Sequence, residues 1–297
     1  MFEQLGLIGC GLMGGSFALA LKKAGLVKRV VGYSKSPTTT ARALQMGVID
    51  IEAPSALLAA AGADIVLLAV PVGATEATLK SIKHLVTPDM LIMDVGSTKV
   101  DVVQAARNAL GPQIGSFVPA HPNTGKEVAG VEHADADLYT GAKVVLTPTE
   151  RTLTAQLGKA QALWQALNCD VRVMSPETHD AAFAAVSHLP HMLAFAMMHS
   201  ITSQAQADAF LSLAGPGFRD FTRIAAGDPH MWRDILLANK TEVLAQVAHF
   251  KMAVQAFENV LQAGDAQALE DMITLASTAR AQCRFNTVPA TADATLA

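Results

Sequence analysis

Apolar residues in the first half of the chain fall into short, nearly unbroken runs, separated by stretches where they recur at helical spacing. The runs at 5–8, 29–32, 64–70, 90–94, 116–119 and 143–147 read as strands covered on both faces. Segments 13–23, 37–46, 74–84 and 99–110 read as helices between them. Such alternation predicts a parallel sheet with right-handed crossovers. A helix at 152–167 and a short strand at 171–174 are expected to close this unit. After Ser175-Pro176 the strand-like runs stop, and Ala-, Leu- and Met-rich helical patterns continue to about Arg284. The Ala/Thr/Pro-rich tail, 289–297, reads as frayed.

The expected fold is α/β: an N-terminal Rossmann-type, doubly wound, mostly parallel sheet over residues 1–175, followed by an all-α domain over 176–297. The stretch 181–198 is apolar almost all round, which suits burial in the domain or, more sharply, a helical homodimer interface. Ser187, His188, Pro190 and His191 interrupt it, so it reads as a buried helix with a kink rather than a membrane span.

Composition adds three limits. The chain is 51% hydrophobic and 16% charged, which provides a sizeable core and excludes global disorder. A net charge of −4 gives no basic face for nucleic acid. Cys10, Cys169 and Cys283 are too few and too far apart for a disulfide framework or a zinc site, so a reducing compartment is expected. The first residues carry no signal-peptide pattern and no membrane partner is expected, which makes the cytoplasm the default.

Gly9-Cys10-Gly11-Leu12-Met13-Gly14 follows the first strand and opens the first helix. Gly9 suits the tight turn, Gly11 the close approach of backbone to a pyrophosphate, and Gly14 the packing of helix on strand. The helix start offers free N–H groups and a positive dipole end. A dinucleotide is therefore the expected cofactor. After the second strand, where NAD enzymes usually carry an acidic residue, this chain has Ser34-Lys35-Ser36. With no carboxylate to repel a 2′-phosphate, NADP is favoured over NAD. Val70-Pro71 ends a strand where the chain would turn beside the nicotinamide ribose. Ser97 stands as an N-cap before the helix at 99–110. His121 follows a strand at the carboxyl edge of the sheet, where alcohol oxidation needs a base titrating near the working pH.

Several segments then occur in a diagnostic order. Gly9–Gly14, Val70-Pro71, Asp94-Val95-Gly96-Ser97-Thr98-Lys99 and His121-Pro122 with Gly125 are followed by Ser187-His188-Leu189-Pro190-His191. Next come Gly217-Phe218-Arg219-Asp220-Phe221-Thr222-Arg223-Ile224-Ala225 and Asp228-Pro229 with Met231-Trp232. Over nearly its whole length the chain resembles the prephenate/arogenate dehydrogenase family. The resemblance implies oxidative decarboxylation of prephenate or arogenate with hydride transfer to NAD(P), in tyrosine biosynthesis. It makes His121 the base for the ring hydroxyl and Ser97 its orienting partner. Arg223 would hold a substrate carboxylate, and His191 would contact the substrate, with Ser187, His188, Arg219 and Trp232 nearby. Bland alternatives stand beside these roles. Arg219 and Arg223 could pair with Asp220 or Asp228 on a solvated face, His188 and His191 could line a kink at Pro190, and Trp232 could be core.

His188 and His191 lack a third metal ligand, so no metal is expected. Asn123-Thr124 and Lys126-Glu127 depart from the family's pattern beside His121, and they bear on substrate preference. Glu127 is a candidate to meet an arogenate ammonium. No mutase helix or tyrosine-sensing domain fits the remaining length, so a monofunctional enzyme is expected. The competing readings are a 3-hydroxyacid dehydrogenase-like or imine reductase-like enzyme, and a non-catalytic NADP-binding regulator.

Overall fold

A computed structural model of the chain describes residues 1–283. Arg284 and the tail expected at 289–297 lie outside the described residues.

The first half builds β1 (Phe2–Ile8), α1 (Leu12–Lys23), β2 (Val27–Tyr33), α2 (Pro37–Gln45), β3 (Ile51–Glu52), α3 (Ala56–Ala60), β4 (Ile65–Leu68), α4 (Thr75–Ile82), β5 (Leu91–Asp94), α5 (Val100–Leu110) and β6 (Phe117–Val118). These six strands form one parallel sheet in the order β3-β2-β1-β4-β5-β6. The order reverses at β1, so β1 and β4 diverge to opposite sides and leave a crevice at their carboxyl ends. β1, β4 and β5 are buried almost throughout, as strands sandwiched between helical layers must be. Two apolar clusters, one on each face of the sheet, form the core, with Phe17, Tyr139 and Trp164 packed ring against ring on one of them.

The sheet does not continue beyond β6. β7 (Ala120–Asn123), β8 (Lys143–Leu146) and β9 (Asp170–Val173), with α6 (Thr154–Ala166) packed beside them, make a separate three-stranded sheet in the order β7-β8-β9. β7 and β8 are antiparallel, β8 and β9 parallel. This departs from the single sheet expected from the sequence. Pro119, which has no N–H to donate, stands between β6 and β7, and the chain changes sheets there.

The second half is helical: α7 (Pro176–Phe183), a π-helical turn (Ala184–His188), α8 (Leu189–Thr202), α9 (Ala207–Ser212), α10 (Pro216–Thr222), α11 (Pro229–Ala238), α12 (Lys240–Ala263) and α13 (Ala266–Gln282). The run Pro176–Thr202 is long and apolar enough to cross a bilayer, and only 28% of its most apolar stretch is buried. The burial expected within the single chain is therefore not found. Its polar residues His179, Asp180 and His188 are nonetheless buried and hydrogen-bonded inside the protein. The irregularity expected at Pro190 lies in the turn before it. Pro190 itself sits in the first turn of α8, where its missing N–H costs little.

Candidate active site

The first turn after β1 has room for a ligand and for little else. Gly9 has φ +101°, and a Cβ there would lie 2.1 Å from the Ala69 carbonyl oxygen. At Gly14 a Cβ would lie 2.0 Å from the Gly9 oxygen, so α1 can pack this closely only through glycine. A Cβ at Gly11 would meet nothing within 4 Å. The head of α1 thus faces open space with uncapped N–H groups and no acidic residue in its first turn. This cradle fits the pyrophosphate of a dinucleotide. Leu12 is buried beneath it, half-buried Met13 accepts a hydrogen bond from Tyr139 Oη at 2.7 Å, and Val70 and Pro71 continue the strand that abuts Gly9.

At the end of β2 the half-buried Ser34 hydroxyl accepts the Cys10 N–H at 2.8 Å, tying the loop to the cradle. Lys35 is exposed, and Ser36 Oγ shares a hydrogen bond with Thr38 Oγ1 at 2.7 Å.

His121 lies on β7, 7% exposed. Its Nδ1 is 2.7 Å from His179 Nε2 on α7, and His179 Nδ1 is 2.7 Å from Asp180 Oδ1. The tautomers follow from the row. The ionised Asp180 can only accept, so His179 donates through Nδ1 and accepts at Nε2. His121 then donates through Nδ1, which leaves its Nε2 lone pair free as a base. Burial pushes the His121 imidazole well below its ordinary pKa, and nearby His179, Lys99 and His188 push it the same way. Burial also lowers His179, against the pull of Asp180. At Asp180 burial opposes the charge, but hydrogen bonds from His179 and two backbone N–H groups outweigh it and hold the carboxyl below the usual range. Phe183 covers the row, its ring centroid 4.4 Å from each imidazole.

Asp180 also accepts the N–H groups of Lys99 and Val100 at 2.8 and 2.9 Å, capping α5 from the other half of the molecule. This corrects the expectation for Ser97. Lys99 is the N-cap residue, and no side chain of its own supplies a cap bond. A carboxylate 80 residues away along the chain does so instead. Ser97 sits half-buried in the loop above, and the imidazole of His188 faces its backbone carbonyl. His188 is fully buried, with Nδ1 accepting from Asn239 Nδ2 at 3.1 Å; the same amide donates to the Asp180 backbone oxygen at 2.8 Å. Burial lowers its pKa to about 4.

His191 bonds the Ser187 backbone oxygen at 2.8 Å and stacks on Trp232, centroids 3.7 Å apart and planes 23° apart. Trp232 is buried, and it packs so closely that a Cβ on Gly227 would lie 2.4 Å from its Nε1. Arg223 pairs with Glu127, on the loop after β7, and both charges are felt by His191. Helical-half groups thus meet the loop that follows His121. Arg219 stands apart, exposed beside Asp220 at 3.6 Å. Among the described residues no cluster of three or more His, Cys, Asp or Glu side chains is arranged to hold a metal ion.

Reading the sequence missed His179, Asp180, Phe183 and Asn239 and gave no role to Asp94 or Lys99. One signal was available: the polar stretch Glu177-Thr178-His179-Asp180 at the head of an apolar helical run sets a histidine beside a carboxylate.

Residues 17–173 match the family model described as prephenate dehydrogenase, nucleotide-binding domain, and residues 175–275 match that of prephenate dehydrogenase, dimerization domain. The chain is 36% identical to a prephenate dehydrogenase from Bacillus subtilis over 91% of its own length and 73% of that protein's. It is 32% identical to a cyclohexadienyl dehydrogenase from Zymomonas mobilis, over 84% and 85% of the two chains. The crystal structure of an Aquifex aeolicus prephenate dehydrogenase, in complex with hydroxyphenyl propionate and NAD+, superposes with a TM-score of 0.88. It is 35% identical, and the match covers 95% of this chain and 98% of that one.

Proposed function

The chain belongs to the prephenate dehydrogenase family, and from that premise we propose how its residues carry out the oxidative decarboxylation of prephenate or arogenate. It is a nicotinamide-dependent dehydrogenase with a small-molecule substrate and a dimerization domain. With the dinucleotide's pyrophosphate bound in the cradle, its nicotinamide would supply the hydride acceptor. His121 Nε2 takes the proton of the C4 hydroxyl as hydride leaves C4. The C1 carboxylate departs as carbon dioxide, and its bonding electrons complete the aromatic ring. Aromatisation makes the step favourable without a metal or an electron sink. Ser97 hydrogen-bonds the same hydroxyl. Arg223 holds a substrate carboxylate, exchanging Glu127 for it, with His191, Ser187 and Trp232 lining that side; Arg219 borders the entrance. Ser34, Lys35 and Ser36 favour the 2′-phosphate of NADP, and the enzyme works in the cytoplasm.

The observation that carries this reading is the row His121–His179–Asp180. It leaves a neutral, oriented imidazole with a free lone pair just beyond the carboxyl ends of β5 and β6. Steady-state rates with prephenate and arogenate, each with NAD and NADP, test it. Reduction of the nicotinamide is expected with release of carbon dioxide. His121→Asn is expected to lose about 10³-fold in kcat while cofactor affinity is kept. Unchanged turnover in that variant removes His121 from the role.

A further inference from the structure

Behind the His121 strand lie two charges that belong neither to the cradle nor to the substrate side. Asp94 ends β5 and Lys99 heads α5, and their ion-paired side chains are 3% and 0% exposed. A pair this dry gains little net stability, because desolvating both ions cancels most of their attraction. Its geometry gives it another use. Asp94 Oδ1 accepts the Ala120 N–H at 3.0 Å, and Lys99 Nζ donates to the Ala120 carbonyl at 2.9 Å. Both backbone polar groups of Ala120, the residue just before His121, are held by this one pair.

The place matters. β7 is an edge strand of the small sheet, and Ala120 is where the chain enters it after leaving the parallel sheet. Among the described residues no strand lies on the outer side of Ala120 to hold its N–H and C=O, and the ion pair takes that strand's place. Lys99 also reaches the far end of the row, since its backbone N–H donates to Asp180 Oδ1, the oxygen that orients His179.

We infer that Asp94 and Lys99 are positioning residues for the proton-transfer step: by gripping the Ala120 peptide they set where the His121 imidazole stands against the substrate hydroxyl. The inference rests on His121 being the base. Lys99 acts from one end of the row on the backbone and from the other on Asp180. The charged and titratable groups facing His121 are His179 from α7, His188 from the π-turn and Lys99 with Asp94 from the β5–α5 loop; Asp180 lies behind His179. A proton on His121 would therefore share a dry pocket with the Lys99 ammonium. Removing the ammonium, and leaving Asp94 unpaired, favours the protonated imidazole.

The test compares Lys99→Met with the double variant Asp94→Asn/Lys99→Met, which removes both charges yet keeps an acceptor for the Ala120 N–H. Each is expected to lose about 10²-fold in kcat, the scale of a misplacement near 1 Å. KM values for substrate and cofactor should stay within about threefold of the parent's. In Lys99→Met the acid limb of kcat/KM moves to higher pH, and the His121 ring proton, followed by NMR, titrates at higher pH. Should the single variant not fold, the double variant, expected to melt near the parent, carries the kcat comparison. A double variant with parental kcat overturns the inference. So does a loss of rate that appears only where the melting temperature has fallen and vanishes on cooling. If the parent turns over neither substrate, the proposed function fails separately, and NMR of the double variant still decides the grip: shifted Ala120 and His121 amide signals with faster Ala120 amide exchange support it, parental ones overturn it.

Discussion

A single hydroxyl, that of Ser34, joins the end of β2 to the nucleotide turn by accepting the Cys10 N–H. An aspartate placed there can accept the same N–H and offer its second oxygen to a ribose hydroxyl, while repelling a 2′-phosphate. Ser34→Asp is therefore expected to move the kcat/KM ratio at least about tenfold toward NAD. A ratio that stays put would show that the discrimination is made elsewhere. Residues of this kind were legible in the sequence because a local steric or charge rule governs each of them. Gly9 and Gly14 have no room for a side chain, and the missing carboxylate after β2 is visible in one loop. His179 and Asp180 answer to no such rule. Their partners, His121 and the head of α5, lie 58 and 80 or more residues away, and only the folded chain brings them together.

Among the elements, the run Pro176–Thr202 carries the most information. Periodicity and composition announced a helix, and Pro190 announced a disturbance, but the disturbance is a π-turn that rotates His188 inward. π-turns of this sort are frequent at functional positions. Burial holds His188 neutral in the folded state, with a pKa near 4 against 6.5 when unfolded. Below pH 6.5 the unfolded chain binds the extra proton, so the stability present above that pH is lost as pH falls from about 6.5 toward 4. His188 alone accounts for about 3 kcal/mol of it, and His121 and His179, lowered in the same sense, add to the slope. Thermal melts between pH 7 and pH 4.5 should show the loss, and His188→Gln should flatten part of it. A variant whose slope equals the parent's would acquit His188. The small sheet was the least legible element. Its strands 143–147 and 171–174 were recognisable, but a strand at 120–123 containing Pro122 is not a pattern that propensity favours, and its antiparallel pairing depends on residues 20 to 26 positions away.

For the whole molecule, the helical half leaves apolar side chains uncovered. Leu244, Met252, Leu261 and Leu275 on α12 and α13 are each more than half exposed, in the region matched to a dimerization domain. Exposed apolar side chains of this kind are what a second copy covers in a stable homodimer. Met252→Asp/Leu275→Asp is expected to shift the protein from dimer toward monomer in sedimentation and to lower its melting temperature, because each charge would otherwise be buried without a partner. A variant that still sediments as a dimer would place the contact on another face. The two-part architecture itself was readable from where the strand-like runs cease. The contacts between the parts were not, because they are made by side chains that cross from one half to the other. Asp180 is the chief of these, for one carboxylate both sets the tautomers of the histidine row and fastens the start of α5. Selection therefore acts on two traits through a single side chain. A lineage that exchanged it to suit a more acidic habitat would loosen a fastening between its two halves in the same step, so adaptation of the working pH is channelled to a neighbour of the imidazole that holds no backbone, Phe183.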